Sequence, residues 1–241
     1  MNKPRILMAR AVFPEIIERL QTVAEVEANQ EDVLSTKSEL LAKLQAKQAV
    51  FTTGTDRIDA EGLAACPELR ICANMAVGYN NFDIPALPAA GVVATNAPDL
   101  LTETTADLGF ALMMATARRM AESEHYLRAG LWNRWSYDMF AGSDIHGSTL
   151  GILGMGRIGQ AIARRGALGF GMKVIYHNRS RLSAELEAEC KARYVSKDEL
   201  LAQADHLMRG LPCGAAARRA SGAAQLAQRK PTATLVNIAR G

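Results

Sequence analysis

The sequence lacks the features by which several classes of protein are recognised. Its 241 residues contain four cysteines, with no Cys-x-x-Cys pair and no secretory context, which disfavours a disulfide scaffold or a metal site and favours free thiols in the cytoplasm. The longest apolar stretch, residues 110–117, is too short to cross a bilayer. The formal net charge of +3 is too small for a nucleic-acid-binding surface. We therefore expect no metal, no nucleic-acid partner and no membrane partner.

Short runs of apolar, β-branched residues alternate with amphipathic segments along the chain. This alternation is typical of parallel strands joined by helical crossovers. Two capping boxes, Thr36 with Glu39 and Ser196 with Glu199, predict the starts of two of the helices. The predicted strands are 5–9, 23–27, 49–52, 69–74 and 92–95, followed by 149–153, 173–176, 193–195, 206–211 and 234–238.

The length of the chain allows one large domain or two modest ones, at about 150 residues per domain. Because the strand–helix alternation starts a second time at residue 149, the simplest division is two α/β units, over residues 1–100 and 101–241. A single long helix is predicted over 102–128, because its apolar positions form a broad stripe. Residues 130–147 contain both tryptophans, Trp132 and Trp135, but little periodicity, and they are interpreted as a connector.

The most informative stretch is the glycine-rich segment 149–159, Thr-Leu-Gly-Ile-Leu-Gly-Met-Gly-Arg-Ile-Gly. A GxGxxG pattern alone is a weak signal, but here it follows a predicted strand and opens a predicted helix over 157–167, as in a Rossmann dinucleotide-binding turn. In that turn Gly154 permits the sharp bend, Gly156 lets the backbone approach a diphosphate, and Gly159 allows close helix–strand packing. The alternative is a strand–helix turn that binds no ligand.

The residues around this loop indicate which nucleotide it takes. The amides of Arg157 and Ile158 lie at the predicted helix N-terminus, which favours an anion. An NAD site normally has Asp or Glu at the end of the next strand, about 20 residues further on; this chain has Asn178, Arg179 and Ser180 there. Arg179 can pair with a 2′-phosphate, and its neighbours can add hydrogen bonds. NADP(H) is therefore preferred, NAD(H) stays open, and a solvated arginine is the alternative reading of Arg179.

Four passages of the chain resemble the D-isomer-specific 2-hydroxyacid dehydrogenases, in the order in which that family has them. They are residues 76–83 (Ala-Val-Gly-Tyr-Asn-Asn-Phe-Asp), 96–107 (Asn-Ala-Pro-Asp-Leu-Leu-Thr-Glu-Thr-Thr-Ala-Asp), the glycine loop, and 235–241 (Leu-Val-Asn-Ile-Ala-Arg-Gly). The similarity is greatest to bacterial glyoxylate/hydroxypyruvate and 2-ketogluconate reductases. It implies two Rossmann-like, doubly wound parallel-sheet domains: a flavodoxin-like substrate domain over 1–100, and an NAD(P)-binding domain over 101–241 that lacks its last strands.

The resemblance also implies roles for single residues. Val77 and Gly78 match the loop whose backbone amides hold the substrate carboxylate. Arg240 matches the catalytic arginine that binds this carboxylate and polarises the ketone for hydride attack. Among the cofactor-binding residues, Thr105 matches a residue near the nicotinamide, and Leu211 and Pro212 match the loop that flanks the nicotinamide ribose. Ile238, also expected to bind the cofactor, matches the turn before the catalytic arginine. The implied activity is NADPH-dependent reduction of glyoxylate, hydroxypyruvate or 2-ketogluconate to a D-2-hydroxy acid in the cytoplasm.

The helix and arm over residues 102–150 resemble the family's dimer contact, so a homodimer is expected. Trp135 matches a tryptophan that packs into the active site of the partner subunit. A simple core or interface role for Trp132 and Trp135 is the alternative.

The sequence departs from the family's pattern in two places. The family's general-acid histidine and its orienting glutamate follow the catalytic arginine, whereas this sequence ends at Gly241; the histidines present match neither position, namely His125, His146, His177 and His206. Residues 207–221 depart from the family's apolar strand, because Arg209 and Gly210 fall inside it. The alternative hypothesis is therefore a truncated, catalytically silent relative that binds nucleotide or dimerises.

Overall fold

The chain forms two compact α/β units, Met1–Leu100 and Leu101–Gly241. A computed structural model describes residues 3–211 and 222–239. Each unit contains one five-stranded sheet whose strands all pair in parallel. The predicted fold class of two doubly wound parallel sheets is confirmed. No described helix is long and apolar enough to cross a membrane.

The first unit has the flavodoxin-like strand order β2-β1-β3-β4-β5. Its core is formed by aliphatic side chains from both faces of the sheet, among them Leu7, Leu44, Ile58 and Leu69. The strands are β1 (Arg5–Met8), β2 (Glu25–Ala28), β3 (Ala49–Thr52), β4 (Ile71–Asn74) and β5 (Val93–Thr95), and the helices are α1 (Pro14–Gln21), α2 (Lys37–Leu44), α3 (Ala60–Ala65) and α4 (Ala86–Ala89).

The second unit has the strand order β10-β9-β6-β7-β8. Separate apolar clusters cover its two faces, one centred on Met113, Ile152 and Ile162 and the other on Leu200 and Leu207. The strands are β6 (Thr149–Leu153), β7 (Lys173–His177), β8 (Ala192–Tyr194), β9 (His206–Arg209) and β10 (Thr234–Asn237). The helices are α5 (Thr102–Ala117), α6 (Met120–Arg128), α7 (Arg157–Arg164), α8 (Ala184–Glu189), α9 (Lys197–Gln203) and α10 (Ala223–Ala227).

The prediction of a single helix over 102–128 is wrong, because the helix breaks between α5 and α6. Arg119 adopts a left-handed conformation with φ of 52°. The break leaves the carbonyl of Ala117 free to accept from Ser143 N–H at 2.8 Å, and Gly142 packs so closely there that a Cβ would overlap this carbonyl oxygen. The Arg119 guanidinium lies over the Phe140 ring, 5.5 Å from its centroid. The connector therefore fixes the break.

Both predicted capping boxes are confirmed, at Thr36–Glu39 and at Ser196–Glu199. Most of the other predicted elements differ from the structure by one to three residues at an end, and three of them are described here. The helix predicted over 157–167 ends as an α-helix at Arg164 and continues as a π turn over Arg165–Gly169. The strand predicted over 23–27 begins at Glu25, because Val23 and Ala24 still donate to the last turn of α1. The strand predicted over 206–211 ends at Arg209, so Gly210 lies just outside it.

Candidate functional site

The glycine loop lies where the strand order of the second sheet reverses. From β6 the chain crosses to β7 on one side, whereas β9 pairs on the other side. In open parallel sheets, ligands bind outside the carboxyl ends of the strands at such a switch point. The loop after β6 is therefore at the position that this fold uses for nucleotides.

Each of the three glycines in the loop has a distinct steric environment. Gly154 has φ of 102°, and a Cβ on it would lie 2.9 Å from the carbonyl carbon of Gly210. A Cβ on Gly159 would lie 2.7 Å from the carbonyl oxygen of Gly154. Gly156 differs from both, because a Cβ there would meet nothing within 4 Å. Gly154 and Gly159 are thus required by packing within the chain, whereas Gly156 leaves open space beside the backbone.

Helix α7 begins without a side-chain cap. Its N-cap residue is Gly156, and its first turn contains no acidic residue. In contrast, the helices α2, α3, α8 and α9 each have a side chain that accepts from a first-turn amide, supplied by Thr36, Asp59, Ser183 and Ser196. The N-cap position of α7 therefore supplies no side-chain acceptor, as at the helix N-termini that bind phosphate.

Asn178 connects the end of β7 to the glycine loop. Its Oδ1 accepts from Met155 N–H at 2.6 Å, and its Nδ2 donates to Met155 O at 3.4 Å. Gln160 Nε2 donates to the same carbonyl at 3.4 Å. Asn178 is predicted from the sequence to add a hydrogen bond to the cofactor phosphate, and in this structure its carboxamide binds the loop backbone. The residue therefore holds the shape of the loop.

A polar network fixes the chain at Arg181 and Leu182, directly after Arg179 and Ser180. The Tyr176 hydroxyl accepts from Leu182 N–H at 2.9 Å and donates to Glu187 Oε1 at 2.7 Å. Arg181 donates to both carboxylate oxygens of Glu187, at 2.9 and 2.7 Å.

Between these fixed points Arg179 and Ser180 are exposed. Arg179 forms no hydrogen bond or ion pair with any residue in the described ranges. Since the charge of Arg181 is already paired, Arg179 is the uncompensated cation of this segment.

The same network predicts a dependence of stability on pH. Hydrogen bonds from Arg181 and then from Tyr176 lower the pKa of Glu187 from 4.5 to about 2. A lowered pKa in the folded state means that the stabilisation is complete above about pH 4.5 and is lost as the pH falls towards 2. In that window the free energy of unfolding of Glu187→Gln should fall less steeply than that of the wild type. Urea denaturation at a series of pH values measures this, and parallel pH profiles would contradict it.

Two more of the predicted residues, Leu211 and Ile238, lie at the same edge of the second sheet as the glycine loop. Leu211 lies just after β9, and its amide nitrogen would be 3.1 Å from a Cβ on Gly154. Ile238 follows β10, and its Cδ1 would be 3.5 Å from a Cβ on Gly210. Thr105 is half-buried on α5. Pro212 and the predicted catalytic Arg240 lie outside the described residues.

The two predicted carboxylate-binding residues, Val77 and Gly78, lie in the first unit. They are exposed in the loop that follows β4. Their carbonyls accept from side-chain amides: Asn96 Nδ2 donates to Val77 O at 2.8 Å, and Asn74 Nδ2 donates to Gly78 O at 3.0 Å. Neither Val77 N–H nor Gly78 N–H has an acceptor among residues 3–211 and 222–239. Within those ranges the loop therefore leaves two backbone donors without an acceptor.

Asn74 and Asn96 are not among the site residues predicted from the sequence. Asn74 is the last residue of β4 and is 4% exposed, so its carboxamide lies inside the unit. A polar residue at the carboxyl end of an apolar strand is the signal that would have identified it, because such ends line the ligand edge of parallel sheets.

Comparison with known proteins identifies the class to which these features belong. The family model described as "D-isomer specific 2-hydroxyacid dehydrogenase, NAD binding domain" matches residues 110–241, which include the glycine loop and the strands around it. The second unit is thus a nicotinamide-dinucleotide-binding domain of an oxidoreductase.

The relatives cover both units. A glyoxylate reductase from Thermococcus gammatolerans is 42% identical over 243 residues, which is 99% of this chain and 72% of the relative. One from Aeropyrum pernix is 42% identical over 245 residues, 100% of this chain and 72% of the relative. Among solved structures, a Thermus thermophilus protein gives a TM-score of 0.90 at 37% identity, over 98% of this chain and 74% of its own. A glyoxylate reductase from Paecilomyes thermophila gives 0.84 at 31% identity, over 100% and 75%. The chain belongs to the D-isomer-specific 2-hydroxyacid dehydrogenase family.

Proposed function

We propose that the protein reduces small 2-oxoacids to D-2-hydroxy acids with NADPH as the reductant. Glyoxylate is the first candidate substrate, because the curated relatives are named glyoxylate reductases; hydroxypyruvate and 2-ketogluconate share the same 2-oxoacid group. The observation that carries the proposal is the glycine loop at the switch point of the second sheet, with an uncapped helix directly behind it. When bound, the nicotinamide supplies a hydride to the carbonyl carbon C2 of the substrate.

Different residues of the second unit bind different parts of the cofactor. The amides of Arg157 and Ile158, at the start of α7, hold the diphosphate. Arg179 pairs with the 2′-phosphate of the adenosine ribose, and Ser180 donates a hydrogen bond to it. Asn178 acts indirectly, through its two hydrogen bonds to Met155. Thr105, Leu211, Pro212 and Ile238 surround the nicotinamide and its ribose.

The residues of the first unit bind the substrate. The amides of Val77 and Gly78 hold the carboxylate, and such neutral donors recognise the anion without fixing the size of the rest of the molecule. The family resemblance gives Arg240 the role of binding the same carboxylate and polarising the ketone. NADPH preference is supported by the lack of an acid after β7 and by the uncompensated charge of Arg179.

A second candidate function is a catalytically silent nucleotide-binding protein. The observation that favours it concerns the two histidines of the second sheet. His206 is buried at the start of β9, at the opposite end of the strands from the glycine loop, and contacts Thr234 Oγ1 at 2.8 Å. His177 lies 2.9 Å from the carbonyl of Val195 through Nδ1. Neither is placed as a free general acid.

A steady-state assay with glyoxylate and NADPH separates the two functions. Oxidation of NADPH that depends on glyoxylate, with D-2-hydroxy acids formed from the longer substrates, is the result expected of the reductase. NADPH binding without turnover would favour the silent protein, and a failure to bind either reduced cofactor would contradict both.

The proposal includes a homodimer formed through residues 102–150. Support comes from the exposed apolar side chains of this segment, which include Leu108, Leu112, Met120, Leu127 and Trp135. Exposed apolar side chains that form one patch are typical of protein contacts, and we propose that these side chains form such a patch. Sedimentation equilibrium gives the molecular mass, and a monomer at micromolar concentration would contradict this part of the proposal.

A further inference from the structure

We propose that Asn74 and Asn96 are positioning residues that aim a row of three backbone amides at the substrate carboxylate. The third donor is the N–H of Tyr79, next to the amides of Val77 and Gly78. The proposal rests on the proposed function of this loop and adds to it the residues that make the loop a rigid anion cradle.

Side chains on two different segments hold the carbonyls of the loop. Asn96 follows β5 and donates from Nδ2 to Val77 O at 2.8 Å. Asn74 ends β4 and donates from Nδ2 to Gly78 O at 3.0 Å. Because the two carboxamides act on consecutive carbonyls, they fix the orientation of two consecutive peptide planes.

Fixing a carbonyl also fixes the amide that shares its peptide plane. In a trans peptide the C=O of one residue and the N–H of the next point in opposite directions, and the described chain contains no cis peptide. The bond to Val77 O therefore turns Gly78 N–H away from Asn96, and the bond to Gly78 O turns Tyr79 N–H away from Asn74. The backbone supplies the equivalent constraint for Val77 N–H, since Ala76 O accepts from the amide of residue 97 at 3.0 Å.

All three amides are available to a ligand. No acceptor for Val77 N–H, Gly78 N–H or Tyr79 N–H lies within the part of the chain that the structure describes. All three residues are exposed. Successive backbone N–H groups that a turn brings to one side of the chain bind anions such as a carboxylate, and this arrangement is what we propose for the loop after β4.

Asn74 is itself held by a buried network, so that its carboxamide has one orientation. Its Oδ1 accepts from Thr52 Oγ1 at 3.1 Å and from Asn81 Nδ2 at 3.3 Å. Asn81 Nδ2 also donates to the carbonyls of Thr53 and Asp56, at 3.1 and 3.0 Å, which ties the network to the loop after β3. Thr52, Asn74 and Asn81 are nearly inaccessible to solvent. A satisfied buried network of this kind gives a rigid and unique geometry.

The test follows the amide resonances of the ¹⁵N-labelled chain, saturated with NADP⁺, while oxamate is added. Oxamate is an unreactive analogue of a 2-oxoacid. In the wild type we expect the amide resonances of Val77, Gly78 and Tyr79 to shift together. Asn96→Ala should weaken oxamate binding about tenfold, the loss expected when a hydrogen bond to a charged group is misdirected. The near-isosteric Asn96→Asp should weaken it at least as much, because it removes the Nδ2 donor. Asn96 is exposed, so both variants keep the fold.

Asn29→Ala is the matched control. Asn29 supports a loop of the same unit in the same way, because its Nδ2 donates to Val33 O at 2.7 Å. It follows β2, however, which is three positions away in the sheet from β4, the strand that precedes the substrate loop. The oxamate affinity of Asn29→Ala should equal that of the wild type, and Asn74→Ala should behave like Asn96→Ala.

Unchanged oxamate affinity in both Asn96 variants would overturn the positioning role while leaving the carboxylate site intact. A Tyr79 resonance that does not move would overturn the third donor. Absence of any shift in this loop of the wild type would overturn the proposed substrate site itself.

Discussion

The substitution Gly156→Ala is expected to leave the chain folded and to lower its affinity for NADPH by at least about tenfold. A Cβ at this position meets no protein atom within 4 Å, and the φ of −79° is accessible to any residue. The fold therefore tolerates the methyl group. The cofactor does not, because its diphosphate must approach the backbone where the methyl group would stand. Thermal unfolding and a fluorescence titration with NADPH measure the two effects separately.

Two further glycines provide the controls. Gly169→Ala also introduces a methyl group into open space, but in the π turn after α7, and should change neither stability nor NADPH affinity. Gly154→Ala should lose both, because a left-handed φ and a 2.9 Å approach to the Gly210 backbone together cost about 2 kcal/mol or more. Retention of full NADPH affinity by folded Gly156→Ala would place the diphosphate elsewhere.

Arg179→Ala is expected to weaken NADPH binding by about tenfold to a hundredfold while leaving NADH binding unchanged. The guanidinium has no partner within the described residues, so its removal costs the fold nothing. It removes one charge-assisted interaction with the 2′-phosphate, worth about 1.5–3 kcal/mol. The ratio of the two dissociation constants, measured at one ionic strength, isolates this effect from general changes in the loop.

Arg181→Ala is the matched control for Arg179→Ala, because it removes an arginine from the same segment whose charge is already paired with Glu187. It should change the NADPH-to-NADH ratio much less. Asn178→Ala should weaken both cofactors by a similar factor, since it loosens the loop that both share. Tighter binding of NADH than NADPH by the wild type, with little further change in Arg179→Asp, would instead indicate an NAD-linked enzyme.

Elements determined by neighbours in sequence could be predicted from the sequence. The capping boxes at Thr36 and Ser196 depend on a residue three positions away, and the glycine loop is recognised from the strand before it and the helix after it. The break at Arg119 could not be predicted, because neither proline nor glycine marks it. It is stabilised by Phe140 and Gly142, which are more than 20 residues further along the chain.

The candidate site shows the same division. The glycines at 154, 156 and 159 have the GxGxxG spacing, which is recognised from the sequence alone. Arg179 is recognised because it lies where an NAD-binding site normally has Asp or Glu. The task of Asn178 depends on Met155, which β6 brings beside it from 23 residues away. The role of Asn74 depends on the Thr52 hydroxyl at the end of β3 and on carbonyls and a carboxamide from the loops after β3 and β4. The roles of such residues can be assigned only from the folded structure, because their partners are distant in the sequence.

Calorimetric titration of the chain with NADPH tests the central claim most directly, since that claim is that the loop after β6 grips the diphosphate of a dinucleotide. We expect one NADPH bound per chain, bound more tightly than NADH, and a dissociation constant for NADPH at least about tenfold higher in Gly156→Ala. Folded wild-type protein that releases no heat with either reduced cofactor, at concentrations up to about 1 mM, would limit binding to weaker than about −4 kcal/mol and would contradict the account.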